Sequence, residues 1–141
     1  MKNVKILVMG LPGSGKTTLS DKLGKLLNAK RVNADEIRKR FNDWDFSLEG
    51  RIRQAKRMNI ISDKEKVNSV VITDFICPTK EARKNFNADY IIWMNTITKG
   101  KFDDTNQMFE KPSKDEINFE IKEKNADKYK FIIFEEIKRL F

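Results

Sequence analysis

The chain has no histidine, one cysteine (Cys77), only three prolines and only six glycines in its 141 residues. Without histidine the usual proton shuttle near neutral pH is missing, so acid and base work falls to carboxylates or lysine. One cysteine excludes an internal disulfide and a multi-cysteine zinc site. Little proline and glycine, with 39% hydrophobic and 35% charged residues, describes a helix-rich globular chain, not a disordered one. No apolar run approaches the length needed to cross a bilayer, so no membrane partner is expected. Met1 to Lys5 leads into a strand and does not read as a signal peptide, so a cytoplasmic location is the expectation.

What is present is positive charge, formally +8. It favours anionic partners such as nucleotides or phosphorylated and sulfated small molecules. The lysines are interspersed with aspartates and glutamates and form no dense block, which argues for a solvated surface over a nucleic-acid face.

The length suits one domain over residues 1–141. Val4 to Met9 is a short apolar run that ends at a glycine-rich loop, and Leu19, Leu23, Leu26 and Leu27 then recur at helical spacing. A short strand at Lys30 to Val32 precedes a helix carrying Ile37, with Asn33 or Asp35 as its cap. Ser47 caps a longer helix whose apolar side is expected from Leu48, Ile52, Ala55, Met58 and Ile61. Val70 to Thr73 reads as a buried parallel strand ending at Asp74, and Thr79 caps a helix over Lys80 to Phe86. Tyr90 to Met94 is a further strand. Residues 95–114 show no period and read as a loop or lid, followed by a strand at Ile117 to Ile121. Asn125 opens a last helix with an apolar stripe of Tyr129, Ile132, Ile133, Ile137 and Leu140. Strands alternating with helices predict an α/β fold, an open parallel sheet of about five strands with helices on both faces.

The loop Gly10-Leu11-Pro12-Gly13-Ser14-Gly15-Lys16-Thr17 carries the strongest chemistry. Glycines let the backbone turn tightly and aim several N–H groups inward, the arrangement that cradles phosphates. Lys16 is placed to reach the β and γ phosphates, Thr17 to bind magnesium through its hydroxyl, and the helix that follows presents its positive end. Gly10, Gly13, Ser14, Gly15, Lys16, Thr17 and Thr18 are therefore the expected ATP-binding set, in a P-loop NTPase fold. Asp74, where a hydrophobic strand ends, stands at the usual position of a carboxylate that contacts magnesium directly or through water; a cap of the following turn is the plainer alternative.

Beyond the loop, Asn33-Ala34-Asp35-Glu36-Ile37-Arg38, Phe46-Ser47-x-Glu49-x-Arg51, Phe75-Ile76-Cys77-Pro78 with Arg83, and Phe102 with Phe109-Glu110-Lys111-Pro112 follow in order. Together with the P-loop they resemble the adenylylsulfate (APS) kinase family across about four fifths of the chain. The resemblance implies a nucleotide-kinase-like fold that moves the γ-phosphate of ATP to the 3′-hydroxyl of adenylylsulfate with Mg2+. It implies Asp35 as a catalytic residue beside Lys16, and adds Asp35 to Thr17 and Asp74 on the side of the metal. Asp35 would orient magnesium or accept the hydroxyl proton, Arg38 and Arg51 would hold the phosphosulfate, and Phe46 and Phe102 would sandwich the adenine. Gln54, Ile76 and Cys77 complete the expected substrate set. It also implies a homodimer.

The sequence departs from that family at Asn33 in place of an acidic residue, Gln54 in place of asparagine and Cys77 in place of serine. The lid is shortened to Thr96 through Lys101, with Lys99 and Lys101 as its basic residues. Plainer roles stay open for the same residues: a helix cap for Asp35, core packing for Phe46 and Phe102, surface exposure for Arg38 and Arg51. Cys77 reads as a small buried side chain, not a nucleophile. Two other functions are compatible with the motifs, a kinase of polynucleotide 5′-hydroxyls or of another small molecule, and a nucleotide-binding module that has lost catalysis.

Overall fold

In a computed structural model, which describes residues 1–100 and 102–141, five parallel strands lie in the order β2-β3-β1-β4-β5. The strands are β1 (Val4–Met9), β2 (Lys30–Asn33), β3 (Val70–Asp74), β4 (Tyr90–Met94) and β5 (Phe119–Ile121). The helices are α1 (Lys16–Leu27), α2 (Ala34–Phe41), α3 (Leu48–Glu65), α4 (Lys80–Phe86), α5 (Asp103–Met108) and α6 (Ala126–Leu140). The alternation of side chains along a strand sorts the core into two layers. Ile6 and Val8 of β1 point with Ile72 and Ile92 toward Leu19 and Leu23 of α1 and Ile133 and Ile137 of α6. Leu7 and Met9 point the other way, with Val71 and Ile91, toward Ile37 of α2, Met58 of α3 and Phe86 of α4. Each strand of the centre is therefore buried on both faces, the reason its sequence runs nearly continuously apolar. The expected fold is the observed one.

Lys5 interrupts β1 because its ammonium group is used. It donates to Asn59 Oδ1 at 2.6 Å, to Asp63 Oδ1 at 2.8 Å and to the Phe86 carbonyl, so one fully buried lysine ties α3 and α4 to the sheet. Burial pulls its pKa down, against the opposing pull of Asp63. α1, α2 and α4 end on Asn28, Asn42 and Asn87, each in the left-handed conformation.

Several expectations need correction. The cap of α2 is Asn33, whose side chain accepts from Glu36 N; Asp35 stands inside the first turn. On α3 the buried positions are Gly50, Gln54, Met58 and Ser62, while Leu48 and Ile52 are exposed. The polar residues on that face are bonded in part: Gln54 Nε2 donates to the Ala34 carbonyl while its buried Oε1 has no protein partner, and Ser62 pairs with Thr73 Oγ1. On α6, Ile133 and Ile137 are buried but Ile132 and Leu140 are exposed. Residues 95–114 contain α5, and the last strand starts at Phe119, not Ile117. Lys101, read with Lys99 as a basic lid residue, lies outside the described residues. Among those described, no helix is long and apolar enough to cross a membrane.

Candidate functional site

The carboxyl ends of β1, β2 and β3 open onto one cavity of about 790 Å³, where ligands of open α/β sheets bind. On the side of the glycine-rich loop the chain leaves β1 at Met9 and re-enters helix at Lys16. Gly10, Gly13 and Gly15 all adopt positive φ, of 152°, 86° and 99°. Gly10 also lies so close to the carboxyl end of β4 that a Cβ there would meet the Met94 carbonyl and Ser14 Oγ at 2.8 Å each. Gly15 caps α1 without a side-chain bond, leaving the amides of the first turn for an anion. Thr96 Oγ1 donates to the Ser14 carbonyl at 2.7 Å and fastens the segment after β4 to this loop. Gly13, Gly15, Lys16, Thr17 and Thr18 line the cavity, whereas Ser14 is buried behind it.

Lys16 Nζ donates to the carbonyls of Gly10 and Leu11, at 3.0 Å each, and so rests against the loop it would leave to meet a phosphate. Desolvation brings its pKa down to about 8, although Asp74 and Asp35 pull the other way. Asp74 is buried at the end of β3, where its Oδ2 accepts from Thr17 Oγ1 at 3.1 Å and from Asn33 Nδ2 at 2.8 Å. Its Oδ1 accepts from Arg31 Nη2 at 2.7 Å. Thr17, Asp35 and Asp74 thus offer hydroxyl and carboxylate oxygens to one cavity. Among the described residues no three acidic, cysteine or histidine side chains are grouped so that they could hold a metal ion by themselves. A hydroxyl and two carboxylates fit magnesium, which keeps phosphate and water oxygens in its shell and needs few protein ligands.

The side of the cavity facing the phosphate loop is made of side chains. Asp35, Arg38, Phe46, Arg51, Gln54, Ile76, Cys77 and Phe102, all expected to contact substrate, line the same cavity. Asp35 is exposed to it and, among the described residues, has no ion-pair partner. Arg38 is buried, not a surface residue. Its Nη1 donates to the carbonyls of Asp43 and Asp45, and its guanidinium stacks 4.2 Å from the Phe46 ring. Phe46 and Phe102 are more than half exposed, which sets aside core packing for both. Arg51 spans the gap to α5: Nε donates to the Phe46 carbonyl, Nη1 to Thr105 Oγ1 at 3.0 Å and Nη2 to Asp104 Oδ2 at 3.0 Å. α5 is therefore docked on α3 across the mouth of the cavity.

Two devices shape this half. Gly50 gives way to the loop between α2 and α3: a Cβ there would sit 2.1 Å from the Asp45 carbonyl oxygen. The same loop is pinned by Asp43, which accepts from Arg53 and Arg57 and is held far below the usual carboxylate range by them. Arg83 is buried and donates to the carbonyls of Cys77 and Glu110 and to Glu116 Oε1, so it fixes the floor at Cys77-Pro78 to the chain after α5. Cys77 itself is fully buried and its thiol is pushed up to about 12 by burial, which makes it packing and not a nucleophile.

Sequence reasoning missed Arg31, which no local pattern links to Asp74. It also missed a hollow of about 130 Å³ on the other side of the P-loop, lined by Thr18, Met94, Ile121, Lys124 and Asn125 among others. Asn125 was legible only as a helix cap.

The sequence profile of a family described as adenylylsulphate kinase matches residues 2–96. A probable adenylyl-sulfate kinase from Aeropyrum pernix is 34% identical over 92 residues, which are 58% of this chain and 49% of that protein. The chain thus spans about half the length of the curated relative it matches. The structure of the APS kinase CysC of Mycobacterium tuberculosis, in complex with AMPPNP and APS, superimposes with a TM-score of 0.77. It covers 98% of this chain and 99% of that one at 15% identity. Shikimate kinase from Acinetobacter baumannii, in complex with shikimate, covers 96% and 94% with a TM-score of 0.65 and 17% identity. These last two establish the fold.

Proposed function

The chain belongs to the adenylylsulphate kinase family, and from that premise we propose that it is an ATP-dependent phosphotransferase that phosphorylates the 3′-hydroxyl of adenylylsulfate. The observation that carries this reading is the shared cavity: the phosphate loop and the eight acceptor-side residues face one space. Phosphoryl transfer asks mainly for positioning and charge stabilisation, so a site without histidine suffices.

In this reading the amides at the start of α1 and Lys16 hold the β and γ phosphates of ATP, and the donor nucleoside extends toward the hollow by Lys124 and Asn125. Thr17 and Asp74 would hold magnesium with Asp35 beside them, and a bound ion would supply positive charge against the phosphates of ATP. Asp35 accepts the proton of the acceptor hydroxyl. Arg51 is tied to an Asp104 that is 71% exposed, a weak surface pair that an incoming phosphosulfate can displace. Arg38 backs Phe46, leaving the other face of that ring for a purine, with Phe102 opposite. A homodimer and a cytoplasmic setting belong to the same proposal.

ADP release measured over adenylylsulfate, nucleosides and 5′-hydroxyl oligonucleotides tests it. The expected outcome is turnover that requires adenylylsulfate and falls by about 10²–10³-fold in Lys16→Ala, the scale of losing one charge-stabilising donor. Asp35→Ala should fall comparably. Labelled phosphate on oligonucleotides alone, or ATP binding with no acceptor-dependent release, would refute the assignment.

A further inference from the structure

Arg31 lies on β2, outside every motif that marks the site, yet it holds one of the site's carboxylates. Its Nη2 meets Asp74 Oδ1 at 2.7 Å and its Nη1 is bonded to Asp21 of α1. The stem of the arginine passes α1 at Gly24, where a Cβ would stand 3.1 Å from Arg31 Cδ. Arg31 Nε is buried without a partner, a cost the structure accepts to keep the fork in place. The other oxygen of Asp74 is occupied by Asn33 and Thr17. Asn33 is neutral, and of the two carboxylates that Arg31 meets only Asp74 is buried, Asp21 being more than half exposed and screened by solvent; among the described residues Asp35 remains outside the ion pairs.

We propose that Arg31 is a positioning residue that fixes Asp74 on Thr17 and cancels its charge, so that the magnesium requirement of nucleotide binding is set by Arg31. The inference rests on the reading of the P-loop as a site for ATP with magnesium. Two effects compete when Arg31 is removed. Asp74 loses one anchor, but two hydrogen bonds still hold it; the metal, in exchange, gains an uncompensated negative charge beside it. A single charge a few ångströms from a divalent ion in a partly solvated site shifts binding by about tenfold, more than the lost anchor costs. Charge therefore wins.

The test is a magnesium titration of AMPPNP binding, followed by calorimetry on the whole chain, which reads affinity without turnover. Arg31→Met should lower the magnesium midpoint about tenfold, and Arg31→Gln, which keeps a donor but not the charge, should do the same if Arg31→Met does not fold. Arg31→Lys should return the midpoint to within about threefold of the wild type, and Asp21→Asn, which leaves the Asp74 contact intact, to within about twofold. A midpoint unchanged or raised in both neutral variants, or moved as far by Asp21→Asn, overturns the proposal. Failure of the wild-type chain to bind AMPPNP would instead overturn the ATP reading on which it rests.

Discussion

The two halves of the cavity are built from different material. The half we assign to the donor is backbone: positive φ at three glycines and the open amides of α1. The half we assign to the acceptor is side chains that hold one another, Arg38 on Phe46, Arg51 on α5, Arg83 under Cys77. A backbone site depends on a few consecutive residues and tolerates no Cβ in the wrong place. A side-chain site depends on partners far apart in sequence and can be retuned one contact at a time.

Substitutions that add a single methyl group separate the halves. Gly10→Ala places a Cβ against the Met94 carbonyl at a φ of 152°, which only glycine adopts readily. AMPPNP affinity should fall about a hundredfold, the upper end of the 1–3 kcal/mol that a forced backbone region costs. Gly50→Ala collides with the Asp45 carbonyl and must push the α2–α3 loop away. Overpacking of this kind costs about 1–3 kcal/mol. The melting temperature should drop by several degrees and the KM for acceptor rise about tenfold, with AMPPNP binding unchanged. Loss of nucleotide binding in Gly50→Ala would show that the halves are not separable.

A pH titration gives a smaller effect, confined to the donor half. Desolvation lowers Lys16 from 10.5 to about 8. A bound triphosphate favours the ammonium form, so affinity for AMPPNP should be flat below pH 8. Above it, affinity should fall by at most tenfold per unit, read by calorimetry between pH 7.5 and 9.5. Stability of the free chain runs the opposite way. Between about pH 8 and 10.5 the unfolded chain binds the proton more tightly than the folded one, so Lys16 favours folding increasingly as pH rises through that window. Parallel changes in affinity and stability would count against this role for Lys16.

The same contrast explains what could be read in advance. β1, the P-loop and α1 were legible because neighbours in sequence specify them, and so were the caps Ser47, Thr79 and Asn125, whose side chains accept from the third residue on. The buried face of α3 was not, because Gln54 and Ser62 look polar until Ala34 and Thr73 are placed beside them. α5 has six residues and no apolar period; its place is set by Arg51, more than fifty residues earlier. Arg31 and Asp74 are 43 positions apart, beyond any local pattern. Asn33 and Asp35 were both candidates for one cap, and the choice turned on which side chain reaches Glu36 N.

Asn28, Asn42 and Asn87 close three helices where many proteins would place glycine. A left-handed asparagine is slightly strained when folded, but its unfolded chain wanders through fewer conformations than glycine's, so less disorder is lost on folding. The scarcity of glycine thus has a positive side. The molecule confines its loosest residue to a few places, among them Gly10 and Gly50, where a Cβ cannot fit, and keeps the rest of its main chain comparatively stiff in the denatured ensemble.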